Sequence, residues 1–387
     1  MKPSLLKILI ISVLILYQTF PTFSQTDSSK SKTRDYLSIA LAYTNGNILP
    51  TNPFVKGENL SGKPLLYHQA VSAKLLWQNP GYTEWQRVYH IPYYGVGYNK
   101  ANFNSKELGS PNSVYGVLGI PVVRMKKLEM YSEFQFGVAW NWNKYDSVTN
   151  PMNIAIGGGM TVHLNIGFNA FYPISKHLDL GAGVAFTHFS NGGFERPNRG
   201  LNLFSPSVEL KYHPGGRPDT RKAPRAGKLP KQNEFYLMLG YGDHQMVEHE
   251  LDTNYFAVGG LSAFYLMQHT NAFKSGPGLD FNFWWSLTAR ENGSPGPVGW
   301  DNLTIGAFYQ IEFELNRLSL HGGVGNYLRH LNYGNYEQFY QRVGVKYHFT
   351  DHLSAGVNVR SINFMLAEFL EFHLGYRFLY HRNQRGY

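Results

Sequence analysis

The sequence predicts an all-β fold, an antiparallel transmembrane β-barrel, and three observations predict it. Glycine (40), tyrosine (27) and phenylalanine (26) are abundant while charged residues make up only 16%, which suits a wall with one face on lipid and the other on a polar lumen. Beyond the first two dozen residues no run of about 18 apolar positions occurs, so helices do not carry the chain across a bilayer. Stretches of alternating polarity recur along the whole length, separated by connections of two kinds, long and short. The same composition excludes other classes. With no cysteine there is no disulfide scaffold, thiol nucleophile or Cys-type zinc site, and an aromatic content of 16% is too high for a disordered chain.

Residues 1–24 read as a cleavable export signal. Lys2 and Lys7 precede the apolar stretch from Ile8 to Tyr17, and Thr22-Phe23-Ser24 before Gln25 is a small-residue cleavage pattern. The formal net charge of +9 falls by the two charges of Lys2 and Lys7 on cleavage; the basic balance that remains favours anionic partners such as lipid phosphates, and an exported chain with no compact basic motif does not imply nucleic acid.

Residues 25–213 hold eight expected strands, at 35–45, 69–78, 85–99, 112–123, 128–140, 153–172, 178–190 and 203–213. Connections after odd-numbered strands run to about a dozen residues or more and those after even-numbered strands to about five, as in an up-and-down barrel with outer loops and periplasmic turns. The fifth strand shows the period: Leu128, Met130, Phe134, Phe136, Val138 and Trp140 share the lipid face, and Glu129, Glu133, Gln135 and Asn141 the lumen. Residues 214–232, with four prolines and six basic residues, read as a linker or a long periplasmic loop.

Residues 233–387 form a second strand-rich half, with about eight more strands at 234–242, 253–266, 279–289, 302–314, 317–327, 337–348, 353–362 and 366–380. The run from Tyr347 to Gly356 echoes that from Tyr172 to Gly181 without a gap, a hint of duplication. One barrel of about sixteen strands and two smaller ones both fit this pattern.

Chemistry concentrates at the end of the seventh strand. There Leu178, Leu180, Ala182, Val184 and Phe186 share the lipid-facing parity, and continuing it outward gives His188 and Ser190. On the eighth strand the outward parity of Phe204, Val208, Leu210 and Tyr212 extends back to Asn202, with Ser205, Ser207, Glu209 and Lys211 facing inward. His188, Ser190 and Asn202 therefore meet on the barrel exterior at its outer-leaflet end, where unpaired polar groups are costly and need a purpose. A same-face pair at i, i+2 lies about 7 Å apart at Cα, a gap an imidazole can close to a hydroxyl, which gives the nucleophile and general base of an ester hydrolase.

The run from His188 to Asn202, HFSNGGFERPNRGLN, resembles the signature of the lipid A 3-O-deacylase family, outer-membrane barrels also called acyloxyacyl hydrolases. His-x-Ser-Asn and then Pro-Asn-x-Gly match position by position, and upstream Tyr94-Gly95-Val96-Gly97-Tyr98 and the run Asn150 to Gly157 are similar to longer members. The resemblance covers roughly residues 85–213 and says little about 233–387. It implies an outer-membrane enzyme of a Gram-negative bacterium that removes an ester-linked acyl chain from lipopolysaccharide without a cofactor. By the same resemblance Ser190 is the nucleophile, His188 the base, and Asn198 with the Gly193 amide the oxyanion hole. Known members carry glutamate where this chain has Asn202; an asparagine oxygen still holds the imidazole but cannot neutralise the imidazolium. Glu195 is the possible alternative acid.

Plainer readings stand beside these. Trp85, Trp140, Trp142, Trp284 and Trp285 read as girdle aromatics at the membrane interface. His244, Glu248 and His249 come nearest to metal spacing and read better as a polar loop. The alternative function is a non-catalytic barrel, either a porin-like channel or a surface-binding protein.

Overall fold

The computed structural model describes residues 35–220, 226–227, 231–245, 255–289, 296–330, 338–362 and 366–381. The expected export signal lies outside the described residues, as do 221–225 and 228–230 of the proline-rich stretch and the pair Glu248 and His249.

Eight antiparallel strands close the first barrel: β1 Tyr36–Ile48, β2 Tyr67–Gln78, β3 Tyr93–Asn102, β4 Gly109–Arg124, β5 Glu129–Trp142, β6 Met160–Pro173, β7 Leu178–Ser190 and β8 Leu201–Tyr212. Each pairs with its sequence neighbour, and β1 completes the circuit by pairing with β8. A second circuit of eight closes on itself in the same way: β9 Gln232–Gln245, β10 Tyr255–Gln268, β11 Phe273–Trp284, β12 Leu303–Leu315, β13 Leu318–Arg329, β14 Phe339–His348, β15 Leu353–Ile362 and β16 Leu366–His381. Among the described residues the chain thus forms two closed barrels of eight strands each. Eight strands enclose an interior just wide enough for side chains to fill.

The side-chain alternation of a pleated strand sorts the two faces. On β8, Phe204, Val208, Leu210 and Tyr212 are exposed on the outer wall while Ser205, Glu209 and Lys211 are buried inside. In the first lumen Lys74 Nζ lies 2.7 Å from Glu133 Oε1 and 2.8 Å from Glu209 Oε2, joining three strands. Tyr93 donates to Glu133 Oε2 at 2.6 Å, and Lys211 Nζ rides 3.4 Å from the centroid of Phe171. Every charge there is paired or lies on a ring, the condition for keeping it out of water. Glycine makes room for the lumen tyrosines: Tyr93 lies across from Gly119, where a Cβ would meet its ring at 2.1 Å.

In the second lumen Asp280 accepts from Tyr340 at 2.5 Å and from Arg342 at 2.9 Å. Lys346 pairs with Glu312 at 2.7 Å, and Lys274 and Arg377 share Glu234. The sequence echo between the two halves is structural. In both barrels it forms the turn between the sixth and seventh strands, with His177 Nδ1 2.7 Å from His213 O and His352 Nδ1 2.9 Å from Arg377 O.

Four expectations need correction. Residues 85–99 are not one strand: Glu84–Val88 is a helical turn, α2, because Thr83 and Gln86 form a capping box, and β3 starts only after His90 and Ile91, both at positive φ. Residues 153–159 belong to a loop, and β6 begins at Met160. Asn141, expected in the lumen, is exposed: it sits at φ 66 beside a register shift between β4 and β5, and this bulge reverses the facing of the strand end. Trp142 consequently turns inward, 7% exposed, and donates to Thr161 Oγ1 at 3.0 Å, so it is no girdle residue. Trp284 is likewise buried and donates to Thr304 Oγ1 at 3.1 Å.

The two ends of the first barrel are closed differently. At the end with longer loops, Phe54 and Val55 from the helical turn α1 (Pro53–Lys56) pack with Phe103, Leu108, Trp142, Ile156 and Phe189 into an apolar cap. At the short-turn end His213 bridges Ser38 Oγ at 2.9 Å and Asp179 Oδ2 at 2.7 Å, and Arg217 covers Asp179.

Candidate active site

β7 and β8 pair in the register Leu180↔Leu210, Phe186↔Phe204 and His188↔Asn202, so the last two stand directly opposite on the outer face. His188 Nδ1 lies 2.7 Å from Asn202 Oδ1. A carboxamide oxygen only accepts, so Nδ1 carries the ring proton and Nε2 keeps a free lone pair, the form a general base needs.

Ser190 ends β7 opposite Val162 of β6, and residues 191–200 return the chain to β8. Gly200 has φ 68, and a Cβ there would stand 3.1 Å from His188 Cε1, 3.5 Å from Ser190 Cβ and 3.0 Å from Phe189 O. The imidazole edge and the serine therefore lie over the same glycine, which has to be glycine for both backbone and space. Ser190 and His188 are not hydrogen-bonded to each other here; such catalytic contacts commonly tighten only once substrate is bound.

Asn198 Oδ1 accepts from the backbone N–H of Asn191 at 3.1 Å, next to Ser190 in the chain. That bond uses the oxygen of the carboxamide and leaves Nδ2 as a donor beside the serine peptide. Gly193, at φ 84, and Glu195 lie in the same loop. The partner of His188 Nδ1 is Asn202 Oδ1.

Two other loops hold this one, and the sequence pattern did not single them out as site supports. Arg199 N–H and Gly200 N–H donate to Ile154 O and Ala155 O, each at 3.0 Å. Asn150, in an expected loop, and Asn153, at the expected start of a strand, staple that loop through Glu107 O and Asn143 O at 2.8 to 3.0 Å. From the first loop Asn52 caps α1 through Oδ1 and donates from Nδ2 to Gly200 O at 2.9 Å, and Asn202 Nδ2 donates to Thr51 Oγ1 at 3.0 Å. The Asn-Pro pair that opens α1 is a sequence signal for such a cap. The Ser38, His213 and Asp179 array has the residue types of a hydrolytic triad but faces the lumen at the opposite end, away from lipid.

Basic residues are distributed around these loops, with Lys100, Lys106, Lys144 and Arg199 exposed.

The family described as "Lipid A 3-O-deacylase (PagL)" matches residues 71–211, and "Acyloxyacyl hydrolase, C-terminal domain" matches 233–382. The second half, on which the sequence motifs were silent, is thus matched in its own right. No curated protein matches the chain. Among solved structures, an outer membrane channel from Pseudomonas putida F1 is 11% identical, covering 92% of this chain and 100% of that one, with a TM-score of 0.20. The Pseudomonas putida toluene transporter TodX is 9% identical, covering 90% and 89%, with a TM-score of 0.17. The Acinetobacter baumannii outer membrane protein Omp33 is 8% identical, covering 89% and 99%, also with a TM-score of 0.17. Superpositions at that level carry no argument about this chain. Two closed eight-stranded barrels, one matched by each description, together with the His188-to-Asn202 signature, lead to one conclusion: the chain belongs to the lipid A 3-O-deacylase family of outer-membrane β-barrel hydrolases, with an acyloxyacyl hydrolase C-terminal domain.

Proposed function

We propose that the protein is an outer-membrane esterase that removes one ester-linked acyl chain from lipid A, with Ser190 as nucleophile and His188 as general base. The observation that carries the reading is the 2.7 Å contact of His188 Nδ1 with Asn202 Oδ1, which leaves Nε2 unprotonated on a ring whose Cε1 lies over the same glycine as Ser190 Cβ. His188 takes the Ser190 proton as Oγ attacks the ester carbonyl, and returns it to the departing sugar alkoxide; water then releases the fatty acid by the same route in reverse. Asn198 Nδ2 and the Gly193 amide, by their match to the family positions, stabilise the oxyanion. Asn202 orients the imidazole without neutralising it, so turnover is slower than with a carboxylate there.

Residues 25–213 make up the deacylase half, exported by the segment 1–24, and 214–232 joins it to the second barrel half. The site is on the outer wall at the long-loop end, so lipid A reaches it sideways within the outer leaflet, and Lys100, Lys106, Lys144, Arg196 and Arg199 pair with its phosphates. The test is mass spectrometry of lipid A from cells carrying the wild type, Ser190→Ala or His188→Ala. Loss of a single ester-linked chain with the wild type alone, amide-linked chains being untouched, supports the reading. Identical spectra for wild type and Ser190→Ala overturn it in favour of a non-catalytic barrel.

A further inference from the structure

We propose that Thr51 is a positioning residue for this reaction: its hydroxyl holds the Asn202 carboxamide in the one orientation that keeps His188 a base. The inference rests on the Ser190, His188 and Asn202 reading and extends it to the β1–β2 loop, which precedes the matched segment 71–211. A carboxylate at position 202 needs no such help, because both of its oxygens accept. A carboxamide has one accepting and one donating end of nearly the same size, so packing cannot choose between its two orientations and hydrogen bonding has to.

With Oδ1 toward His188 Nδ1, the ring keeps its proton on Nδ1 and a lone pair on Nε2. Turned over, Nδ2 would donate to Nδ1, the ring proton would move to Nε2, and the base would be lost. Thr51 Oγ1 stands 3.0 Å from Asn202 Nδ2 and accepts from it. A hydroxyl can donate as well as accept, and what biases this one toward accepting from the amide is the contact of its own hydrogen with Leu49 O at 3.5 Å. The loop is fixed at this height by Leu49 N–H donating to Asn202 O at 2.8 Å and by Asn52 Nδ2 donating to Gly200 O at 2.9 Å. Thr51 itself is exposed, so core packing does not account for its place, and its substitution leaves the barrel intact.

The experiment uses the full chain, refolded in detergent with 15N-labelled histidine, the His188 signals being identified by their loss in His188→Gln. The wild type is expected to show a ring protonated at Nδ1, Thr51→Val a mixture with the Nε2-protonated form, and Thr51→Ser the wild-type pattern. Deacylation of lipid A in mixed micelles supplies the second readout: Thr51→Val lowers kcat about three- to tenfold, the loss of one hydrogen bond, with KM unchanged. In an Asn202→Glu background the same substitution leaves kcat unchanged, because the carboxylate has no wrong orientation. An unchanged ring tautomer in Thr51→Val overturns the proposal, as does an equal fall of kcat in both backgrounds. Absence of any Ser190-dependent hydrolysis would defeat the deacylase reading instead, and the ring-nitrogen spectra would still decide the role of Thr51.

Discussion

In the proposed reading Asn202 is the third member of the triad, and its contact with His188 makes its role measurable. Removing the oxygen that holds Nδ1 leaves the tautomer unset, so Asn202→Ala should lower kcat on lipid A by about tenfold or more. Asn202→Glu should keep or raise kcat by adding the missing negative charge, while Glu195→Ala should change it little. A collapse in Glu195→Ala with a silent Asn202→Ala would make Glu195 the third member of the triad. Gly200 offers a second test at this scale. Its φ of 68 and the 3.1 Å approach of a Cβ to His188 Cε1 mean that Gly200→Ala pushes the imidazole off the serine. Activity should fall sharply while the folded band on gel electrophoresis persists, and unaltered activity would contradict the shared floor.

At the scale of elements, the strands owe their register to two-residue periodicity, and their partners across the lumen to charge. Lys74 on β2 sits between Glu133 on β5 and Glu209 on β8, all almost fully buried. Lys74→Met should therefore leave Glu133 with no cation and Glu209 with only Lys211, 4.0 Å away, in a narrow interior, and cost about 3 to 5 kcal/mol. The check is a fall in the urea midpoint of the detergent-folded protein, with part of it recovered in Lys74→Met, Glu133→Gln, Glu209→Gln. An unshifted midpoint would mean that the lumen is wet enough to solvate the acids. The return from β7 to β8 obeys a different logic: its hold comes from backbone carbonyls at 154 and 155 and from side chains at 51 and 52, contacts that strand parity does not encode.

At the scale of the molecule, each set of eight strands closes its own hydrogen-bond circuit, β1 on β8 and β9 on β16. Neither barrel borrows a strand, so a chain shortened to residues 25–220 should refold in detergent to a heat-modifiable β-barrel. Failure to shift on unheated gels, or a coil-like circular dichroism spectrum, would show that closure needs the second half. The full-length mature chain should partition into the outer membrane, and recovery as a soluble periplasmic protein would defeat that expectation.

The sequence by itself determined what is local and periodic. Alternation places Glu209 and Lys211 inside and Phe204 and Val208 outside, and it puts His188 and Asn202 on the same outer face, because a pleated strand leaves each side chain only two directions. It also determined the glycine-rich return from Ser190 to Asn202, whose positive φ values only glycine reaches without strain. Tertiary structure alone decided the rest. Whether sixteen strands close once or twice depends on which edges pair, and both outcomes use the same alternation. The bulge at Asn141 that turns Trp142 inward reverses a parity that periodicity extends blindly. Thr51 and Asn52 reach Asn202 and Gly200 across about 150 residues of chain, and no spacing rule encodes a contact made only when β1 closes on β8.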